Sequence, residues 1–251
     1  MTVSSDMPSG MQPNVGRDHR GEQSPFASLS RRGLMGLGVA AGVATGMPSA
    51  ANGREADHHA TAGSRIDSAL VQILFADLQG PLVAGSKTQP PDRLERAAAV
   101  LAEVGTILSL PMLFSVVMEG TSPPHLLPAL KPYARPANTL LRIPVAPFHD
   151  RATVAAITGQ RRPILVIAGF AAEVVVLQTA LDAVAAGHKV YFVTDTIGSQ
   201  FERTENAAFR EMEMAGAKPT SVLSFATRLV PDFVGTPGKQ VFAALKPVLG
   251  Q

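Results

Sequence analysis

From Leu70 onward, short continuous apolar runs alternate with stretches whose apolar residues recur every three or four positions. The first run, "LVQILFADLQ", reads as a buried strand with Asp77 at its carboxyl end. "PPDRLERAAAVLAEVGTILSL" opens on proline and places Leu94, Ala97, Ala98, Leu101, Val104 and Leu108 at helical spacing. "PMLFSVVME" is a second strand. Pro123 to Pro147 is punctuated by prolines, with a short strand expected near "TLLRI". "DRATVAAITGQ" then reads as a helix and "PILVIAG" as a strand. Ala171 to Ala186 reads as a helix apolar on nearly every side, a pattern that predicts cover from the sheet and from a second subunit. "HKVYFVTDTIG" is a further strand, "RTENAAFREMEMAG" a helix, and "KPTSVLSF" a last short strand.

Strands that are unbroken apolar runs are buried on both faces, and their alternation with helices predicts an α/β fold. The expected architecture is a three-layer α/β/α sandwich around a mostly parallel sheet, over residues 66–251. Ligands of such sheets sit beyond the carboxyl ends of the strands. That rule selects Asp77, Glu119, the turn from Gly169 to Glu173, and Asp195 as candidate positions. No internal repeat is visible.

The text upstream is of another kind. Residues 1–29 are polar, rich in Pro, Gly and Ser and without period, and read as a disordered extension. Residues 30–51 run "SRRGLMGLGVAAGVATGMPSAA": an arginine pair, Arg31–Arg32, an uncharged glycine-rich segment, then small residues at Ser49, Ala50 and Ala51. This is the layout of an export signal, and the arginine pair with a weakly hydrophobic core resembles the twin-arginine type. The expected location is periplasmic or secreted, with the twin-arginine export machinery as partner during transport. The segment is too weakly apolar for a stable membrane span, which needs about 20 strongly apolar residues. Residues 52–65 would form a linker, in which His58–His59 reads as an exposed pair.

Composition narrows the chemistry. Basic and acidic residues nearly balance, 22 against 20. No basic run or aromatic platform points to nucleic acid as a partner. Cysteine is absent, which removes disulfides, thiolate metal sites and thiol catalysis at once. No cluster of ligands at metal spacing appears, and no metal or other cofactor is expected.

Three stretches resemble the isochorismatase-like (cysteine hydrolase) superfamily: "LFADLQ", "VIAGFAAEVVVLQTALDAVAAGHKVYFVTDTIGSQ" and "AAFREMEMAGAKPTSV". "HLLPALKPYARPAN" adds a likeness to its YcaC-type branch. The resemblance spans roughly residues 66–232. It implies an oligomeric, Rossmann-like α/β sandwich with an aspartate, lysine and cysteine triad. The family aspartate matches Asp77. The lysine position falls on Arg142, six residues before the pocket-lining aromatic at Phe148; a local match to "ARPAN" would place it on Arg135 instead. The cysteine position falls on Val175. The family also tends to carry a non-proline cis peptide before the nucleophile, here around Phe170, Ala171 and Ala172. Amides near Ala171 and Val175 would then form the oxyanion hole.

Valine cannot act as a nucleophile, and Thr179, a helical turn later, is expected to pack or to bond back to the helix. A thioester mechanism is therefore excluded. Two readings follow. In one, Asp77 is a general acid with a pKa raised by burial, acting on a small carboxylate-bearing substrate such as a vinyl ether, with Arg142 binding the carboxylate. In the other, Asp77 and Arg142 form an inert ion pair and the fold is a small-molecule binding or scaffold module, in either case a homo-oligomer. Glu173 is expected to cap the helix start, Asp195 to close a strand and to cap or order the loop at Gly198, and His125 and His149 to be surface residues.

Overall fold

A computed structural model of the chain describes residues 65–250. The extension, the export signal and His58–His59 lie outside the described residues. Six strands form a single sheet in the order β3-β2-β1-β4-β5-β6. They are β1 (Val71–Ala76), β2 (Met112–Val116), β3 (Thr139–Leu141), β4 (Ile164–Phe170), β5 (Lys189–Gly198) and β6 (Lys218–Thr220). All five pairings are parallel. The α/β sandwich expected from the apolar runs is the fold observed, and the sheet is wholly rather than mostly parallel.

The helices are α1 (Gly80–Val83), α2 (Pro91–Ile107), α3 (Arg151–Gly159), α4 (Leu177–Ala185), α5 (Glu202–Met214), α6 (Val222–Leu229) and α7 (Gly238–Ala244). One face of the sheet packs on α2, α6 and α7 through Phe75, Phe114, Leu94, Leu101, Phe225 and Val241. The other packs on α3, α4 and α5 through Leu74, Ile167, Ile157, Ala180 and Met212. Phe75 and Phe114 stack with ring centroids 5.0 Å apart on the first face. Each of β1 and β4 is buried at every residue, as central parallel strands require.

The chain departs from its sequence pattern in two places. The stretch expected as one helix from Ala171 begins with a π-helical turn, Ala172–Val176, before α4. The expected last strand "KPTSVLSF" stops at Thr220. Ser221 then caps α6, its hydroxyl accepting from the Ser224 N–H, and Val222, Phe225, Ala226 and Leu229 form the buried stripe of a helix. The run was too short for periodicity to separate strand from helix.

Strand order reverses between β1 and β4, so the crevice beyond their carboxyl ends is the switch point of the sheet. Gly169 is required there. A Cβ on it would stand 2.7 Å from the Ala76 carbonyl oxygen and 2.9 Å from a Val176 methyl. No helix among the described residues is long and apolar enough to cross a membrane.

A candidate site closed by an ion pair

Asp77 follows β1 directly, with φ at 56°, in the left-handed region that aspartate tolerates better than most residues. Its N–H donates to the Ser115 carbonyl, and its carbonyl accepts from the Gln79 N–H. Arg142 follows β3, where its N–H donates to the Val116 carbonyl and continues the strand pairing by one residue. From there its side chain crosses the end of β2 to reach Asp77. Both guanidinium ends engage: Nη1 donates to Oδ1 at 2.7 Å and Nη2 to Oδ2 at 2.7 Å. Nη2 also donates to the Val145 carbonyl at 2.8 Å. This fork-to-fork geometry is the strongest form of the carboxylate–guanidinium contact.

The pair is out of water, Asp77 being 6% and Arg142 2% exposed. Burial is the strongest influence on the Asp77 carboxyl and pushes its pKa above the ordinary aspartate value. The hydrogen bonds and positive charge of Arg142 pull it back down. Arg142 Nε and the nearby Ser115 hydroxyl are buried without a protein hydrogen-bond partner.

Across the switch point, the Phe170–Ala171 peptide is cis. Phe170 is buried against the α2 face of the sheet, while Ala172, Val175 and Val176 are buried on the α4 face. Val175 has no exposed surface, whereas neighbouring Val174 points outward. The amides of Val174 and Val176 both donate to the Ala171 carbonyl. The Thr179 hydroxyl donates back to the Val175 carbonyl at 2.6 Å.

The other residues singled out from sequence lie elsewhere. Arg135 borders a cavity with Ser109, Met112 and Asn138 at the amino end of β2, opposite to Asp77. Phe148 meets His188 edge-on, 6.2 Å between centroids, and borders a cavity with Arg162, Pro163 and His188 near the amino ends of β4 and β5. It does not line the Asp77 site. Spacing along a proline-rich segment fixed neither residue's place, because the chain turns between them and the strand. His149 lies 3.6 Å from Asp182 on the outer side of α4 and is exposed. Glu173 caps no amide. Its Oε1 accepts from the Ser199 hydroxyl at 2.7 Å and the Thr204 hydroxyl at 3.1 Å, tying the π-turn to the loop after β5. Asp195 lies within β5 rather than at its end, and its carboxylate serves as a cap at the start of α6, accepting from the Val222 N–H at 2.9 Å.

Two contacts at this edge join residues that no shared element brings together, although the carboxyl-edge rule selects Glu119 itself. The buried Gln79 side chain accepts from the Val117 N–H and donates to the Val117 carbonyl, clasping the chain after β1 to the chain after β2. It also donates to Glu119, which in turn contacts His125. His125 is a surface residue, but a held one. Among the described residues, no group of three acidic or histidine side chains is placed to hold a metal ion.

A doubly covered parallel sheet with a carboxylate–cation pair at its switch point defines this chain as an α/β protein with its candidate site at the carboxyl edge of the sheet. The isochorismatase domain matches residues 82–224, more than half the chain, and the protein belongs to the isochorismatase family. "Probable hydrolase YcaC" of Escherichia coli is 28% identical to it over 176 residues, covering 67% of this chain and 82% of that protein. The structure of YcaC from Pseudomonas aeruginosa, with hexane-2,5-diol and covalent acrylamide, superposes with a TM-score of 0.69 at 26% identity, over 74% of this chain and 93% of the other. YcaC of Escherichia coli, described as an octameric hydrolase of unknown specificity, gives 0.68 at 26% identity, over 73% and 92%.

Removing one partner of a buried pair leaves the other charge uncompensated, at a cost of about 3–5 kcal/mol. Arg142→Met is therefore expected to lower unfolding free energy by about that amount near neutral pH. With Arg142 gone only burial acts on Asp77, so its folded-state pKa rises further above its unfolded value. A group raised in this way favours the fold below its unfolded pKa and loses that contribution as pH rises through the folded pKa. The deficit of the variant relative to wild type should shrink as pH falls towards the ordinary aspartate range, about 4. Urea unfolding of both proteins at several pH values measures this, and a deficit independent of pH would contradict it.

Proposed function

We propose that this chain is a non-catalytic member of its family, retained as an exported small-molecule binding module that assembles with its own copies. The observation that carries this reading is the double hydrogen bond of Arg142 to Asp77. Both oxygens of the one candidate acid accept from a guanidinium, the pair is buried, and the side chain at the position the family resemblance gives to cysteine is a buried valine. A general acid must carry a proton and meet its substrate; Asp77 is held as a hydrogen-bond acceptor away from solvent. The Pseudomonas relative carries a covalent acrylamide, and no side chain on the turn 172–176 of this chain is a nucleophile able to form such a bond. Assembly into a homo-oligomer draws support from the octameric relative and from the exposed apolar side chains Leu141, Ile143 and Val145 around Arg142.

A second reading keeps Asp77 as the acid of a thiol-free hydrolase acting on a small carboxylate-bearing substrate. Burial, which pushes its pKa up, favours it, as do the unpartnered Arg142 Nε and Ser115 hydroxyl beside it. A hydrolysis screen of vinyl ethers, amides and small esters separates the two. The expected result is no turnover by wild type or by Asp77→Asn, both folded. Turnover of one class by wild type that disappears in Asp77→Asn would overturn the first reading in favour of the second.

Export rests on Arg31–Arg32 and the uncharged segment after them. Replacing both arginines by lysine should retain a fused reporter in the cytoplasm, whereas the wild-type signal delivers it outside. Equal export of both fusions would remove the twin-arginine assignment.

A further inference from the structure

One strand away from Asp77, at the carboxyl ends of β2 and β3, lies a cavity of about 370 Å³. Val116, Pro124, Leu126 and Leu141 give it apolar walls, while His125, Lys131 and Thr139 supply its polar groups. Its size is that of a small-ligand site, and its place obeys the rule that parallel sheets bind ligands at the carboxyl edge.

His125 is positioned from several sides. Its carbonyl accepts from the Gly80 N–H at 2.8 Å, which pins the segment to the chain after β1. Its N–H donates to Glu119 Oε1 at 2.8 Å, and its ring Nδ1 meets Glu119 Oε2 at 2.8 Å. Glu119 is fixed in turn by the buried Gln79, whose Nε2 donates to Oε1 at 2.6 Å. Those hydrogen bonds from Gln79 and His125 hold the Glu119 carboxyl below its ordinary range. An ionised carboxylate only accepts, so the Nδ1 of His125 donates to it and Nε2 is the ring nitrogen left for another partner. Glu119 spends its charge on His125 and Gln79 and is not among the residues bordering the cavity. Lys131, exposed at the rim, makes no ion pair among the described residues.

We propose that this cavity binds a small hydroxylated carboxylate with an apolar or aromatic body. The carboxylate would pair with the Lys131 ammonium, the ligand hydroxyl would hydrogen-bond with His125 Nε2, and the body would lie between Val116, Leu126 and Leu141. The Glu119–Gln79 support makes His125 an oriented polar group rather than a freely rotating surface ring. The site gives a place to the binding role proposed above, but it shares no residue with the Asp77–Arg142 pair. Turnover at Asp77 would leave it standing, and its failure would not restore catalysis.

Isothermal titration of the full chain with 4-hydroxybenzoate tests it, beside benzoate and 4-hydroxybenzyl alcohol, which each lack one of the two polar groups. The expected result is saturable binding of 4-hydroxybenzoate, weakened about tenfold or more when either polar group is missing from the ligand. Lys131→Met and His125→Gln, both at exposed positions, should each cost a similar factor while leaving the thermal melt unchanged. Lys239→Ala, a distant surface change, should leave the affinity as in wild type. Absence of binding to the folded protein up to about 10 mM, the weak end of specific affinity, would overturn the proposal. So would binding that neither Lys131→Met nor His125→Gln alters.

Discussion

A carboxylate and a guanidinium, taken out of water together at the point where the sheet reverses its strand order, set the terms for this protein's active edge. Neither charge is tolerable there alone. Desolvation of each costs several kcal/mol even after relaxation, and only close, doubly hydrogen-bonded contact offsets it. The backbone is arranged to supply that contact. Asp77 takes a left-handed conformation immediately after β1, and Arg142 extends the β3 pairing far enough to carry its side chain over β2. The exposed Ile143 and Val145 follow from the same constraint, since a segment that aims Arg142 inward turns its neighbours out.

Across the switch point from this pair stands a buried valine, Val175, and the chain contains no cysteine. Arginine, with its planar fork, satisfies the carboxylate at both oxygens. Val175 and Val176 of the π-turn pack into the α4-side core as ordinary apolar residues. The sheet and the ion pair are structural in their own right.

Much of this is legible in the amino-acid sequence. Long apolar runs at β1, β4 and β5 and the helical spacing of α2 and α5 are strong because each carries one period over many residues. The parallel α/β class followed from their alternation, and Asp77 from the carboxyl-edge rule. What escaped the sequence was whatever depends on how the chain crosses itself. Arg142 and Arg135 stand seven positions apart in one proline-rich segment. Only the pairing of residue 142 with Val116 sends one to the switch point, while the other ends at the opposite edge. Phe148 follows a turn that no periodicity records. Helix α6 hides behind a run too short to show a period. Glu119 and His125, six residues apart across a loop, share no element that would announce their contact.

At Val175 the edge of the sheet is closed to solvent. Because the chain has no cysteine, Val175→Cys places a single thiol at that position, with a side chain close in size to the one it replaces. Its rate of reaction with a soluble thiol reagent, in native buffer and in denaturant, reports whether solvent and substrate reach it. Full reaction in denaturant, with none over the same period in the native protein, is expected. A native rate matching that of an exposed thiol would mean an open cleft at Val175, and would contradict that closure.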